Sequence, residues 1–279
     1  MTHWFQYPNI DPIAFHLGPI AVHWYGISYL VGFVAVYLWM SRPAGRARLG
    51  LTNDQIQDFL MYCLIGVLIG GRTLFVIADM LSKHNASEYF SHPINFIAVW
   101  NGGMAFHGGL IGVIIGLLLF LRKHPGLSFN VMGDETVMLL PIGIALTRVV
   151  NFINDELPGR ICNPDHPYCI AFPNYPDGYR YPSQLFECVL DIATLPVLFV
   201  LYRRRPPDGV VAWTWFTIYG VTRTIAEIWR QPDIVIFGGI TGGQIPSLLM
   251  IVFGIAMIVH SYRRGVHTNT RAELGTVPQ

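Results

Sequence analysis

Phe59-Leu-Met-Tyr-Cys-Leu-Ile-Gly-Val-Leu-Ile-Gly-Gly-Arg-Thr-Leu-Phe-Val-Ile-Ala-Asp79 is a run of 21 residues with one charged side chain, Arg72, in its interior. A helix needs about 20 such residues to cross the hydrocarbon core of a bilayer. A soluble helix would alternate apolar and polar faces instead. The whole chain has the same character: its 279 residues are 52% hydrophobic and 13% charged, with a mean hydropathy of +0.43. Soluble proteins carry about 25% charged residues, so an ordinary soluble domain is excluded. The net charge of +1 gives no basis for nucleic-acid binding, and none is expected. The first 21 residues contain no Lys or Arg and no short apolar core before a small-residue cleavage site. The first span is therefore expected to serve as its own insertion signal.

Working outward from 59–79, six further apolar segments fall at about 22–40, 104–121, 132–150, 185–202, 211–229 and 241–261. The expected fold is an all-α polytopic membrane protein, residues 1–279 forming a single transmembrane domain of about seven helices. Pro141 and Pro196 interrupt the fourth and fifth spans, and Glu187 and Asp191 lie inside the fifth. Membrane helices tolerate such breaks where neighbours satisfy the freed backbone groups.

Loop charges set the orientation, because Lys and Arg accumulate on the cytoplasmic side. One side holds Arg42, Arg46, Arg48, Arg122, Lys123, Arg203, Arg204, Arg205, Arg263, Arg264 and Arg271. The other holds Lys83, Arg160, Arg180 and Arg230. The N-terminus is thus expected outside and the C-terminus in the cytoplasm. Two outer loops, about 80–103 and 151–184, are long and expected to be irregular; the second is rich in Pro, Asn, Asp and Tyr. It contains Cys162 and Cys169 with six residues between them, on the side where disulfides persist. A bridge and two unpaired thiols are both compatible with that spacing. Gly66 and Gly70, and Gly108, Gly112 and Gly116, form small-residue ridges suited to close helix packing.

Ionisable groups within spans are costly and are functional candidates by default. Singly, each has a plain alternative as an interfacial anchor or a neutralised pair. Once oriented, however, they gather at one depth. Tyr25 and His107 lie at outer helix ends, as do Arg148 and Asn151, one turn apart. Gln184, Glu187 and Asp191 share one face of the fifth span. Tyr219, Arg223, Glu227 and Arg230 form a stripe on the sixth. Arg72 lies somewhat deeper on the second. Arg is a rigid fork of donors matched to phosphate, and His handles protons near neutral pH. The pattern suggests a site for a phospholipid headgroup opening to the outer leaflet. No His or carboxylate cluster has metal-ligand spacing, and no metal or other cofactor is expected.

At these residues the chain resembles bacterial prolipoprotein diacylglyceryl transferase over nearly its whole length. The segments that carry the resemblance are Val22-His-Trp-Tyr-Gly26, Gly70-Gly-Arg72, Gly102-Gly-Met-Ala-Phe-His-Gly-Gly109, Arg148-Val-Val-Asn-Phe-Ile-Asn-Asp-Glu-Leu-Pro-Gly-Arg160, Tyr181-Pro-Ser-Gln-Leu-Phe-Glu187, Tyr219 to Asp233, and Gly243-Gln-Ile-Pro-Ser247. Three positions depart from the family pattern: Tyr181 where His is usual, Asn101 where Asp is usual, and Pro246 where Leu is commoner. The resemblance implies seven spans and an enzyme of the bacterial inner membrane. It implies transfer of the diacylglyceryl group of phosphatidylglycerol to the lipobox Cys thiol of a prolipoprotein signal peptide, releasing glycerol 1-phosphate. It marks Tyr25, His107, Arg148, Asn151, Glu156, Gly159, Tyr219, Arg223 and Glu227 as site residues.

On that basis Arg148 and Arg223 are expected to clamp the phosphate, with Tyr25 and Asn151 orienting the lipid and Glu227 positioning Arg223. His107 either accepts the thiol proton or only hydrogen-bonds while the Arg pair acidifies the thiol. A transporter of an anionic solute is the rival from another class. It would place its site near the midplane between internal repeats, and none is visible.

Overall fold

The structure is a computed structural model and describes residues 6–18, 20–83, 86–99, 102–232 and 241–267. It is mostly helical, with ten α-helices among the described residues. Its surface is inverted relative to a soluble protein. Large apolar side chains such as Ile69, Leu81, Leu248, Leu249 and Val252 are exposed, whereas Arg72, Asp134, Glu135, Glu187, Asp191 and Glu227 are buried. That distribution suits a protein whose solvent is lipid.

Among the described residues three helices are individually long and apolar enough to cross a membrane: α3 (Asn53–Lys83), α8 (Ser183–Arg203) and α10 (Gln244–Arg264). Two bent pairs raise the number to five if each counts as one span. They are α1 (Trp24–Met40) with α2 (Pro43–Leu49), bent by 79°, and α6 (Phe129–Val137) with α7 (Leu140–Ile153), bent by 50°. The second break falls in the expected span 132–150. Pro141 sits in the first turn of α7, where its missing N–H has no partner to lose, so the chain restarts there. Pro196 causes no such break and lies inside a continuous α8. The remaining helices are α4 (Ala86–Ser91), α5 (Phe106–Lys123) and α9 (Val210–Ala226).

The chain divides into two compact units. One comprises residues 49–129, built on α3 and α5. Gly66 faces Gly112 and Gly70 faces Gly108 so closely that a Cβ on any of them would collide with a carbonyl oxygen of the opposite helix. α3 begins with a reciprocal cap: Thr52 N–H donates to Gln55 Oε1 at 2.9 Å, and Gln55 N–H donates to Thr52 Oγ1 at 3.3 Å. Further along, Arg72 turns toward the segment before α5. It donates to the carbonyls of Asn95 (2.5 Å), Phe96 (3.3 Å), Gly102 (2.7 Å) and Gly103 (3.1 Å). Gly102 and Gly103 both have positive φ, +79° and +77°, which aims consecutive carbonyls at one guanidinium.

The other unit comprises residues 1–48 and 130–279. Its helices pack in series, α1 on α7, α7 on α8, α8 on α9 and α9 on α10. A hairpin of β1 (Ile13–Leu17) and β2 (Ile20–His23), not foreseen from the sequence, leads directly into α1.

At the Lys/Arg-rich end of this unit, Arg48 binds Asp134 (2.8 Å), Glu135 (3.2 Å) and Asp208 (3.2 Å). Trp39 Nε1 and Tyr202 Oη donate to Glu135, at 2.9 and 2.5 Å. Asp134 also accepts from the backbone N–H groups of Gly209 and Ala212, both at 2.9 Å, and so caps α9 from another helix. The basic residues that mark topology in the sequence thus also close a buried ion network.

The loop after α7, expected to be irregular, carries a short antiparallel pair, β3 (Ile170–Ala171) and β4 (Tyr179–Arg180), and a Cys162–Cys169 disulfide. Ile170, Phe172 and Phe152 form a small core against Tyr7, Tyr175 and Leu185. Of the two states left open by the sequence, the thiols adopt the bridged one.

Candidate active site

α7, α8 and α9 converge on a narrow cleft lined by Arg148, Glu187, Asp191, Tyr219, Thr222 and Arg223 among others. Arg148 comes from α7, the two carboxylates from α8, and Tyr219 and Arg223 from α9. The i, i+4 spacing of each pair on α8 and α9 places both members on one face. Arg148 Nε lies 3.0 Å from Glu187 Oε2, and the other oxygen of Glu187 accepts from Arg230 Nη1 at 3.2 Å. Arg223 Nη2 pairs with Glu227 Oε1 at 2.8 Å. Thr241 Oγ1 donates to Glu227 Oε2 at 2.8 Å, so that carboxylate is held at both oxygens. Gly243 lies against the same pair, where a Cβ would strike the Glu227 carboxylate.

The second guanidinium nitrogen of Arg223, Nη1, is buried without a hydrogen-bond partner among the described residues. An arginine aimed into a cleft with an unused donor is an anion-binding element, since a buried unpaired donor costs about 1–3 kcal/mol or more.

Tyr25, Asn151 and Glu156 form a second group. Tyr25 donates its hydroxyl hydrogen to Glu156 Oε2, and Asn151 Nδ2 donates to Tyr25 Oη (2.5 Å) and to Glu156 Oε2 (3.3 Å). α7 links this group to the cleft, because Asn151 follows Arg148 by one turn. The loop that delivers Glu156 is fixed from behind by Gln184 Nε2, which donates to the Glu156 carbonyl at 2.6 Å.

Gly159 is buried in the same loop. A Cβ there would meet the carbonyl oxygens of Tyr181 (2.5 Å) and Trp229 (2.6 Å). Its N–H donates to Tyr181 O at 2.8 Å and its carbonyl accepts from Arg180 at 2.9 Å. Arg180 in turn grips Asp177 at 2.5 Å and holds that carboxyl below the usual range.

Residues 12–260 match the family model for prolipoprotein diacylglyceryl transferase. The chain belongs to this family. It is 41% identical to the phosphatidylglycerol–prolipoprotein diacylglyceryl transferase of Geobacter sulfurreducens over 268 residues, which cover 94% of this chain and 99% of that one. The enzyme of the same name from Legionella pneumophila (strain Lens) is 42% identical over 254 residues, or 89% and 96% of the two chains. That of Vibrio cholerae (O395) is 41% identical over 266 residues, or 94% and 95%.

Within this diacylglyceryl transferase the structure brings together Arg148, Tyr219, Arg223 and Glu227 around the cleft, and Tyr25, Asn151 and Glu156 beside one another. Gly159 makes close backbone contacts to Tyr181 and Trp229. His107 is the second residue of α5, and its side chain lies outside the described residues, as do Asn101 and Asp233. Arg72, which the sequence places somewhat deeper among the same ionisable groups, instead donates to four backbone carbonyls of its own unit. Tyr181, where the family usually has His, stacks on Tyr168 with ring centroids 6.0 Å apart.

Glu187, Asp191 and Arg230, which the sequence places among the ionisable groups at that depth but the family resemblance does not mark, also belong to this group: Glu187 and Asp191 line the cleft, and Arg230 binds Glu187. Among the described residues no three of His, Cys, Asp and Glu are grouped so as to hold a metal ion.

Proposed function

We propose that this enzyme moves the diacylglyceryl group of phosphatidylglycerol to the thiol of the lipobox Cys in a prolipoprotein signal peptide, releasing glycerol 1-phosphate. The observation that carries this reading is the convergence of Arg148 and Arg223 on one cleft, with Arg223 Nη1 unpartnered there. A phosphodiester presents oxygens to both guanidinium groups, and charge grows on it as the ester C–O bond breaks. Cations fixed where charge develops usually contribute most to lowering the barrier of such a reaction.

Tyr25 and Asn151 orient the glycerol and ester oxygens of the lipid, Tyr219 helps to line the phosphate position, and Glu156 and Gly159 hold the loop beside them. Glu227 positions Arg223. His107 accepts the proton of the substrate thiol, because thiolate is the competent nucleophile and a free Cys is mostly protonated near neutral pH.

The same reading places seven spans in one transmembrane domain: α1, α3, α5, α6 with α7, α8, α9 and α10. α5 has 18 residues and α9 has 17, within the range of about 17–25 that spans a bilayer. The N-terminus lies outside the bacterial inner membrane and the C-terminus in the cytoplasm, following the loop charges. The rival expectation, transport of an anionic solute, gains nothing from relatives that are named as transferases.

The test is to incubate the purified protein with phosphatidylglycerol and a lipobox peptide and to follow the peptide mass. Thioether-linked diacylglyceryl peptide is expected from the wild type, and Arg148→Ala and Arg223→Ala are expected to lose it while still inserting. No product from the wild type would sink the assignment.

A further inference from the structure

Glu187 and Glu227 are each held by arginine, but Asp191 is not. It lies on α8 one turn beyond Glu187, is 5% exposed, and lines the cleft with Arg148, Tyr219 and Arg223. Its Oδ2 is buried and without a hydrogen-bond partner, and it makes no ion pair among the described residues. A carboxylate left so within a membrane helix is expensive unless it has a task.

Charge counting suggests the task. In and around the cleft, Arg148, Arg223 and Arg230 are offset by Glu187, Glu227 and Asp191. A bound phosphodiester brings one further negative charge into a buried place, where an uncompensated charge is costly. Glu187 and Glu227 are each tied to a guanidinium. Asp191 is the one cleft carboxylate with no such partner among the described residues.

We infer that Asp191 holds a proton beside the bound phosphate and delivers it to the departing phosphate ester, as the general acid of the transfer. This rests on the reaction proposed above. The substrate sulfur forms its bond to the terminal glycerol carbon of the diacylglyceryl group as the bond from that carbon to the phosphate oxygen breaks. The electron pair stays on the phosphate, whose charge rises from one to two. The proton on Asp191 Oδ2 passes to a phosphate oxygen, so the leaving group departs as a monoanion and Asp191 is left ionised. The thiol proton goes separately to the base. Asp191 regains its proton when the next lipid binds. The charged and titratable groups facing it are Arg148 from α7, Glu187 and Cys188 on its own helix, and Tyr219 and Arg223 from α9.

The experiment uses the full chain in lipid nanodiscs with phosphatidylglycerol and a lipobox peptide, measuring kcat and KM across neutral to alkaline pH. Asp191→Asn is expected to lower kcat by about 10²- to 10⁴-fold, the size of a lost general acid, with KM for the lipid little changed. The fall in wild-type rate at alkaline pH should vanish in this variant, and Asp191→Glu should recover most of the rate.

A second measurement needs no variant. A phosphonate analogue, with CH2 in place of the scissile oxygen, should draw about one proton from solution on binding the wild type. An Asn variant within about threefold of wild type, or a loss uniform across pH, would overturn the inference. So would absence of proton uptake, which decides the matter if the Asn protein fails to insert. Failure of the wild type to form any thioether would reject the transferase reading instead, whatever the analogue shows.

Discussion

Arg148 Nε lies 3.0 Å from Glu187 Oε2, an ion pair between α7 and α8 whose side chains are 15% and 6% exposed. The same carboxylate binds Arg230, so one acid sets the position of two guanidinium groups. Glu187→Gln keeps the shape and removes the charge. Leaving a buried cation without its partner costs about 3–5 kcal/mol, so thermal unfolding should shift down clearly. Transfer activity should fall by about 10²-fold, the penalty for a misplacement near 1 Å in a preorganised site. Full activity in Glu187→Gln would mean that Arg148 is placed by something else.

Tyr25 offers a contrast between stability and rate. Its hydroxyl donates to Glu156 and accepts from Asn151, in a group that is only partly buried. Tyr25→Phe removes two hydrogen bonds, each worth about 0.5–1.5 kcal/mol net. The melting temperature should therefore drop only slightly. If the group orients the lipid, kcat/KM for phosphatidylglycerol should fall far more steeply than stability does. A variant with wild-type kinetics would reduce the Tyr25–Asn151–Glu156 group to a loop anchor.

The sequence made most of the apolar helices legible, and with them the grouping of Arg148, Tyr219 and Arg223, because both rest on strong local signals. Apolar runs near 20 residues leave no soluble alternative, and Arg148, Tyr219 and Arg223 stand out against them. Gly66, Gly70, Gly108 and Gly112 read as a packing ridge and do pack backbone to backbone. What was not legible depended on long-range partners. Arg72 reads as another cavity cation, since its four acceptors are carbonyls, which any residue supplies. Arg42 and Arg48 read as topology markers, although Asp134 and Glu135 lie 86 and 87 residues from Arg48. The loop after α7 looks irregular because its order comes from a disulfide, two-residue strands and a few buried rings, none with a periodic pattern.

Arg72 yields a prediction of its own. Four of its hydrogen bonds reach backbone carbonyls between Asn95 and Gly103. Lys carries its donors on one nitrogen and cannot span that set. Hydrogen bonds to charged groups are worth about 1.5–3 kcal/mol each, and Arg72→Lys forfeits at least one or two. Limited proteolysis should then cut faster between residues 84 and 105 than in wild type, with cleavage elsewhere unchanged. Equal cleavage rates would show that the segment is held without Arg72.

Asp155 offers a test by pH. It sits at the head of the Glu156 loop with φ +54°, 6% exposed, and accepts the Asn174 N–H at 2.5 Å through Oδ2, while Oδ1 has no hydrogen-bond partner among the described residues. Burial outweighs that one hydrogen bond and pushes its carboxyl above the usual value. A folded-state value raised above the unfolded one, near 3.9, gives a contribution to stability that is fully present below that pH. It is lost as pH rises through the folded value, so at neutral pH the ionised group destabilises the loop. Asn cannot ionise and tolerates the left-handed backbone better than most residues. Asp155→Asn is therefore expected to unfold at a higher temperature than wild type at neutral pH, and the difference should shrink as the pH is lowered toward 4. A difference that stays constant over that range would trace the gain to backbone preference alone and remove the electrostatic explanation.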